Sequence, residues 1–154
     1  MEISTISGNA HLTSKLEDGK VSGFSFEQKG VITLTSENQI DFLIFTLTNE
    51  LASPVGSFLS SPNLDTEFAS STPADIRLNT DTFNEILAVP DSISNWENIA
   101  PVQTGEIWFV RTRNGKYGKL LLNEVSEITD REGTTVSSFA KFEWVFQPNG
   151  TRVF

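Results

Sequence analysis

The chain has 154 residues, a formal net charge of -9, 38% hydrophobic residues, 12 Phe, 3 Trp, one Met and no Cys. That length suits one domain able to bury roughly two-thirds of the surface its unfolded form exposes, and the weight of aromatics favours sheet over helix bundle. The acidic balance, with Lys and Arg nowhere concentrated, leaves no field to gather phosphates and argues against nucleic acid, while the missing thiols exclude disulfides, thiolate nucleophiles and cysteine-based metal sites.

The opening "MEISTISGNAHLTSK" is a polar lead without the basic start and apolar run of a secretory signal, and no stretch reaches the roughly 18 apolar residues of a membrane span. "VSGFSFEQKGVITLTS" alternates at Phe24 and Phe26, then at Ile32 and Leu34, with Gly30 between: a hairpin pattern. In "QIDFLIFTLTN", Ile40, Phe42 and Ile44 face one way and Leu43, Phe45 and Leu47 the other, which predicts a strand covered on both faces, with Asp41 near its water-accessible start.

Residues 51–75, "ELASPVGSFLSSPNLDTEFASSTPAD" with Glu50 before them, hold three of the six prolines and many small hydroxyl residues, and are expected to be irregular. A segment of that length without periodic pattern suggests a functional rim. A helix of about two turns follows in "LNTDTFNEILAVPDS": Thr82 and Glu85 have capping-box spacing, Phe83, Ile86 and Leu87 form an apolar stripe, and Pro90 stops it. "DSISNWENIAP" is expected to add a further turn before Pro101.

"GEIWFVRTRNGKYGKLLL", residues 105–122, places Asn114-Gly115 between two apolar runs. Read as a type I′ turn, it pairs Arg113 with Lys116 and sets the hairpin register. Ile107, Phe109, Leu120 and Leu122 then share one face, and Trp108, Val110, Tyr117, Lys119 and Leu121 the other. Both faces are mainly apolar, so one meets the core and the other is covered by the short helix and the middle segment. Arg111, Arg113 and Lys116 would keep the tip wet. At the end, "SFAKFEWVFQPNGTRVF" puts Phe142, Trp144 and Phe146 on one face, with Lys141 and Glu143 outward, and "QPNG" reverses into a last short strand.

The fold class is therefore mainly β: antiparallel sheets forming a sandwich-like core with one or two short helices between the strand groups, as a single β-rich domain over residues 1–154.

Chemistry-bearing patterns are sparse. His11, the one histidine, lies in the polar lead rather than on a supported scaffold, so a Ser-His-Asp arrangement is not expected. "NLDTEF" and "ITDREGTT" supply turn oxygens but not the alternating calcium loop, and the glycines of "RNGKYGK" do not open a helix, so neither a metal nor a phosphate cradle is expected. Asn149-Gly150-Thr151 is a formal glycosylation acceptor that a tight turn explains. Trp96, Trp108 and Tyr117 are the candidate ligand-binding residues, as stacking groups for a sugar or flat ligand.

"GFSFEQKGVI", "GEIWFVRTRNGKYGKLLLNEV" and "FAKFEWVFQPNG" together resemble the exported Bacteroidota lipoprotein family that includes the HmuY-like haem-binding proteins. The resemblance covers about half the chain and concerns scaffold. It implies a mostly β fold with short helices, an exported origin at the periplasm or cell surface, and no catalysis. Its haem-binding members clasp the ligand between paired axial side chains, commonly histidines. Here only His11 and Met1 are of ligand type, so haem is carried over to no residue, and the lipid-attachment cysteine is absent. The resulting expectation is a non-enzymatic exported or cell-surface binding module for an unknown small molecule or surface partner, without cofactor. The alternative is a structural or interaction protein with no small-molecule site.

Overall fold

Along the chain's penultimate stretch, Phe142, Trp144 and Phe146 are buried while Lys141 between the first of them and Ala140 is exposed, the alternation that a half-buried strand requires. In the computed structural model, which describes residues 5–16, 19–35, 40–48, 54–62, 65–70, 80–90, 93, 95–129 and 136–154, that stretch is the last of ten strands. They run β1 (Ile6–Thr13), β2 (Ser22–Ser25), β3 (Gly30–Thr33), β4 (Leu43–Thr48), β5 (Pro54–Ser60), β6 (Glu67–Ser70), β7 (Ile99–Val102), β8 (Ile107–Arg111), β9 (Tyr117–Thr129) and β10 (Val136–Gln147), with helix α1 (Thr80–Glu85) between β6 and β7.

Every pairing is antiparallel. A five-stranded sheet has the order β1-β10-β9-β8-β6, a three-stranded sheet the order β4-β5-β7, and β2-β3 form a hairpin. The main core lies between them. Leu12, Phe68, Trp108, Val110, Leu120, Leu122, Phe142, Trp144 and Phe146 from the large sheet meet Phe24, Phe26, Phe42, Ile44, Leu59 and Val102 from the smaller ones. Phe24 sits at the centre, with ring centroids of Phe26, Phe42, Phe142 and Trp144 at 5.0 to 5.4 Å, mostly edge-to-face. Each such ring pair adds about 0.5–1.5 kcal/mol beyond the burial of its area. The mainly β, sandwich-like reading of the sequence holds.

The β8–β9 ribbon is covered on both faces, as its composition requires. Its second face packs under Phe83 of α1, Ile86, Val89, Ile93, Trp96 and Phe154. The cover is thus α1, the chain after it and the C-terminal residues. The middle segment, expected to be irregular and to share in this cover, instead supplies β5 and β6. Its residues 51–53, 63–64 and 71–75 lie outside the described residues.

The ribbon's register differs from expectation by one residue. Arg111 pairs with Tyr117 and Ile107 with Leu121. The loop is three residues long: Gly115 N–H donates to the Thr112 carbonyl at 2.9 Å and Thr112 N–H to the Lys116 carbonyl at 2.8 Å. Gly115 has φ 73°, whereas Asn114 stays at negative φ, so this is a three-residue hairpin loop ending in a left-handed glycine and not a type I′ turn. Ile107, Phe109, Arg111, Tyr117, Lys119 and Leu121 therefore share one face, and Trp108, Val110, Gly118, Leu120 and Leu122 the other.

Other local expectations change for identifiable reasons. The polar lead is β1: its inward positions are Ile6, Gly8, Ala10 and Leu12, and a Cβ on Gly8 would come within 3.0 Å of the Trp144 ring, so small residues replace the apolar signal. Helix α1 starts at Thr80, which places Thr82 inside it, and it ends five residues before Pro90; Leu87 is 67% exposed rather than part of a stripe. The stretch before Pro101 is not helical. Pro101 lies in β7, an edge strand, where a missing N–H is tolerated. On β4, Ile44 is buried but Leu43 and Phe45 are only half-buried, so its outer face is partly open; the side chain of Leu47 lies outside the described residues. After the turn at Gly150 (φ 80°), Val153 bridges Ala88 instead of returning along β10.

Candidate functional site

The three aromatic candidates do not form one platform. Trp108 is 6% exposed in the main core, its Nε1 donating to Glu106 Oε1 at 3.2 Å. Tyr117, on the opposite face of the ribbon, lies 6.2 Å from half-buried Trp96 with the rings tilted by 52°. Both of these rings are flanked by the protein's own cations. The Arg111 guanidinium sits 4.5 Å from the Trp96 centroid and Arg152 4.9 Å from that of Tyr117. Arg111 in turn donates from Nε (3.1 Å) and Nη2 (2.8 Å) to Glu67 Oε1. The run Glu67, Arg111, Trp96, Tyr117, Arg152 is a stacked brace across the second face of the large sheet, and its aromatic surfaces are already in use.

The hairpin tip is also engaged. Arg113 donates to the Ile40 carbonyl at 3.1 Å and approaches Asp65 Oδ2 at 3.8 Å, so it ties the ribbon to the start of β4 rather than standing free in water. Next to it, Asp41 Oδ2 accepts the Phe26 N–H at 2.7 Å. Burial pushes the Asp41 carboxyl above the usual aspartate range, opposed by that amide and by Arg113. The space enclosed by these groups is about 20 Å³, room for a water molecule at most.

A second, roomier opening than this one lies at the other end of the sandwich. A cleft of about 360 Å³ runs between β5, β7, the 103–104 turn and the far half of β9. This is within the range of small-ligand sites. One wall is apolar: Phe58, Pro101, Val102 and Val125. Phe58 is half-buried and is held from behind by Phe45, ring centroids 5.5 Å apart and nearly parallel at 21°. Ser57, Gln103, Thr104 and Glu127 supply polar groups on the remaining sides.

Each part of this lining is fixed by local structure. Ser57 Oγ donates to Ser138 Oγ at 2.8 Å, a buried link between the two sheets beside the cleft. Thr104 Oγ1 accepts from Val125 N at 2.8 Å and donates to Val125 O at 3.2 Å, which pins the turn to β9. Gln103 N–H is capped by Glu106 Oε1, leaving the Gln103 side chain exposed. Gly56, with φ 145°, follows a register shift between Leu47 and Thr48 against β5, and its carbonyl accepts Thr46 Oγ1 at 2.7 Å. The irregularity sets β5 off from a flat sheet edge where the cleft begins. Glu127 is half-buried and, among the described residues, has no ion-pair partner.

Sequence reasoning placed its rim in residues 51–75. Only Gly56, Ser57 and Phe58 of that segment line the cleft; the other lining residues come from strands whose meeting no local pattern announces. His11 is exposed on β1, edge-on to Phe139 at 5.5 Å, remote in sequence and register from the cleft.

No family model matches the chain, and no curated protein matches it significantly. Among solved structures the chain is similar to the apo form of the HmuY analog (TFO) of Tannerella forsythia, at 10% identity and a TM-score of 0.48, over 94% of this chain and 97% of that one. At that TM-score and identity the likeness transfers no site residue and no function. Among the described residues, no helix is long and apolar enough to cross a membrane.

Proposed function

We propose that this chain is a non-enzymatic binding module, exported to the periplasm or cell surface, that holds a small molecule in the cleft between β5, β7 and β9. The observation that supports this is the combination of a braced aromatic wall, Phe58 on Phe45, with a half-buried carboxylate and amide and hydroxyl groups facing it across about 360 Å³. Such a lining suits a ligand with one apolar face and several hydroxyl or amino groups, sugars among them. The family resemblance of the aromatic strands supplies the expectation of export. The sparse inventory of activated nucleophiles and acid-base pairs favours binding over catalysis.

Thermal-shift titration tests the reading. A panel of mono- and disaccharides, a porphyrin and calcium is added to the protein and to Phe58→Ala and Glu127→Gln. A ligand at a hundredfold excess over its dissociation constant contributes about 2.7 kcal/mol to the folded state. The expected result is one class that raises the melting temperature of the protein and not of either variant. Absence of any shift favours the second reading, a structural or interaction protein, which the arginine-capped Trp96 and Tyr117 also suit.

A further inference from the structure

The two edges of the large sheet are treated differently. At one edge, β6 is closed by a bridge: Phe68 N–H donates to the Glu97 carbonyl at 2.7 Å and Glu97 N–H to the Phe68 carbonyl at 2.9 Å. At the other, β1 pairs with β10 over eight residues, Ile6↔Phe146 to Thr13↔Phe139, without a bulge. Ser14 N–H donates to the Ser138 carbonyl at 2.9 Å, which fixes the parity of this pairing. Even-numbered residues of β1 exchange hydrogen bonds with β10, and Ser7, Asn9, His11 and Thr13 direct their main-chain groups away from it. Ser7, Asn9 and His11 are exposed, and among the described residues their main-chain groups have no other partner.

Proteins normally blunt such an edge with a lysine, a proline, a bulge or an inward charge. The strand "ISGNAHLT" has none of these. It carries no formal charge in a chain of net charge -9, so it is a place where two copies can approach without setting like charges opposite each other.

We propose that β1 is a self-association edge, along which two copies pair β1 with β1 antiparallel about a twofold axis at Ala10. Side-chain parity confines that axis to a residue position, and Ala10 is preferred to Asn9 because an axis at Asn9 would set Ile6 against Leu12 on the core side. A register that keeps inward residues inward must pair odd with odd positions. Centred on Ala10, it sets Asn9 opposite His11 of the second copy, an amide against an imidazole, and Ser7 opposite Thr13, two hydroxyls. On the core side it sets Ala10 against itself and Gly8 against Leu12, with no bulky pair to clash. The four outward residues then exchange about eight main-chain hydrogen bonds with their mates, and the interface is isologous and closed.

The test is sedimentation velocity from low to high micromolar protein, on the whole chain and on variants that leave the β10 side of β1 intact. The chain is expected to pass from monomer to dimer as concentration rises. Asn9→Pro, which deletes an outward N–H and no bond to β10, is expected to weaken dimerisation at least about tenfold. Should Asn9→Pro fail to fold, a charge pair replaces it: Asn9→Glu with His11→Glu in one chain, Asn9→Lys with His11→Lys in another. Each alone is expected to be monomeric, and their mixture dimeric, because the proposed register sets positions 9 and 11 opposite. A chain monomeric at every concentration, a dimer that Asn9→Pro leaves unchanged, or a mixture that does not pair overturns the proposal.

Discussion

Lys119 reaches out of β9 to donate from Nζ to the carbonyl oxygen of Phe83, in the last turn of a helix six residues long, and to that of Ile86, one residue past its end, at 2.8 Å. Lys119 is buried, its Nζ 4.4 Å from the Phe83 ring centroid, and the helix has no basic residue of its own in its last turn. A strand residue thus satisfies the helix end that the helix sequence leaves open.

Lys119→Ala is expected to lower unfolding stability by about 2–3 kcal/mol, since it strips two carbonyls of a charged donor and empties buried volume. Lys119→Met keeps the apolar stem and should cost about 1 kcal/mol. Burial lowers the Lys119 pKa below its ordinary 10.5, so between the folded value and 10.5 the unfolded chain binds more protons. Stability from this group therefore rises with pH across that interval. Urea melts of the protein and of Lys119→Met should diverge in the protein's favour as pH climbs, and a constant gap would remove the argument.

The hairpin loop makes a sharper test of register. Gly115 holds φ 73° and Asn114 does not share the left-handed region, so Gly115→Ala should cost about 1–2 kcal/mol and Asn114→Ala close to nothing. A type I′ turn would make both substitutions costly. Comparable losses at the two positions in denaturant titrations would restore the alternative register.

Gly118, three residues on, faces the core where its strand crosses β10. A Cβ there would lie 2.9 Å from Phe26 Cζ and 3.1 Å from the Val145 carbonyl oxygen, one of which is backbone and cannot turn aside. Gly118→Ala is expected to destabilise by about 1–3 kcal/mol through overpacking. A melting temperature equal to that of the parent would show that the sheets are free to part.

Asp41 gives the opposite pH signature to an ordinary paired aspartate. Its carboxyl is pushed up, with burial as the leading cause, so the stability it contributes is full below 3.8 and is lost as pH rises through the folded value. Asparagine keeps an oxygen for the Phe26 amide and removes the charge. Asp41→Asn should therefore be the more stable protein near neutral pH, its advantage shrinking as acid protonates the parent. A variant less stable than the parent at neutral pH would show that Arg113 outweighs burial.

How much of this was legible in the sequence follows from where alternation survives. Phe142, Trp144 and Phe146 and the pair Phe24 and Phe26 announced their strands because large apolar residues stood at every second position. β1 and β5 did not, because close packing put Gly8 under the Trp144 indole, Ala10 opposite Phe142, and a serine pair, Ser57 with Ser138, at the junction of the sheets. A small or hydroxyl residue can be as buried as a phenylalanine, yet period-two patterns register only the latter. The ribbon's two-sided burial was readable from composition, whereas its register turned on a single backbone angle at Asn114. Of the site, only the aromatic inventory was visible: Trp96 and Tyr117 do meet, but cations on their faces, and the cleft elsewhere, depend on contacts distant in sequence.

The environment of Trp144 gives the molecule a built-in optical gauge. Its indole nitrogen has no hydrogen-bond acceptor among the described residues, and Phe24 and Phe26 stand edge-on at 5.4 and 5.9 Å. An excited indole so enclosed has few mobile dipoles to relax against, and it emits toward the blue. Separation of the two sheets would admit solvent to that ring and redden the emission, reporting on the integrity of the centre from within.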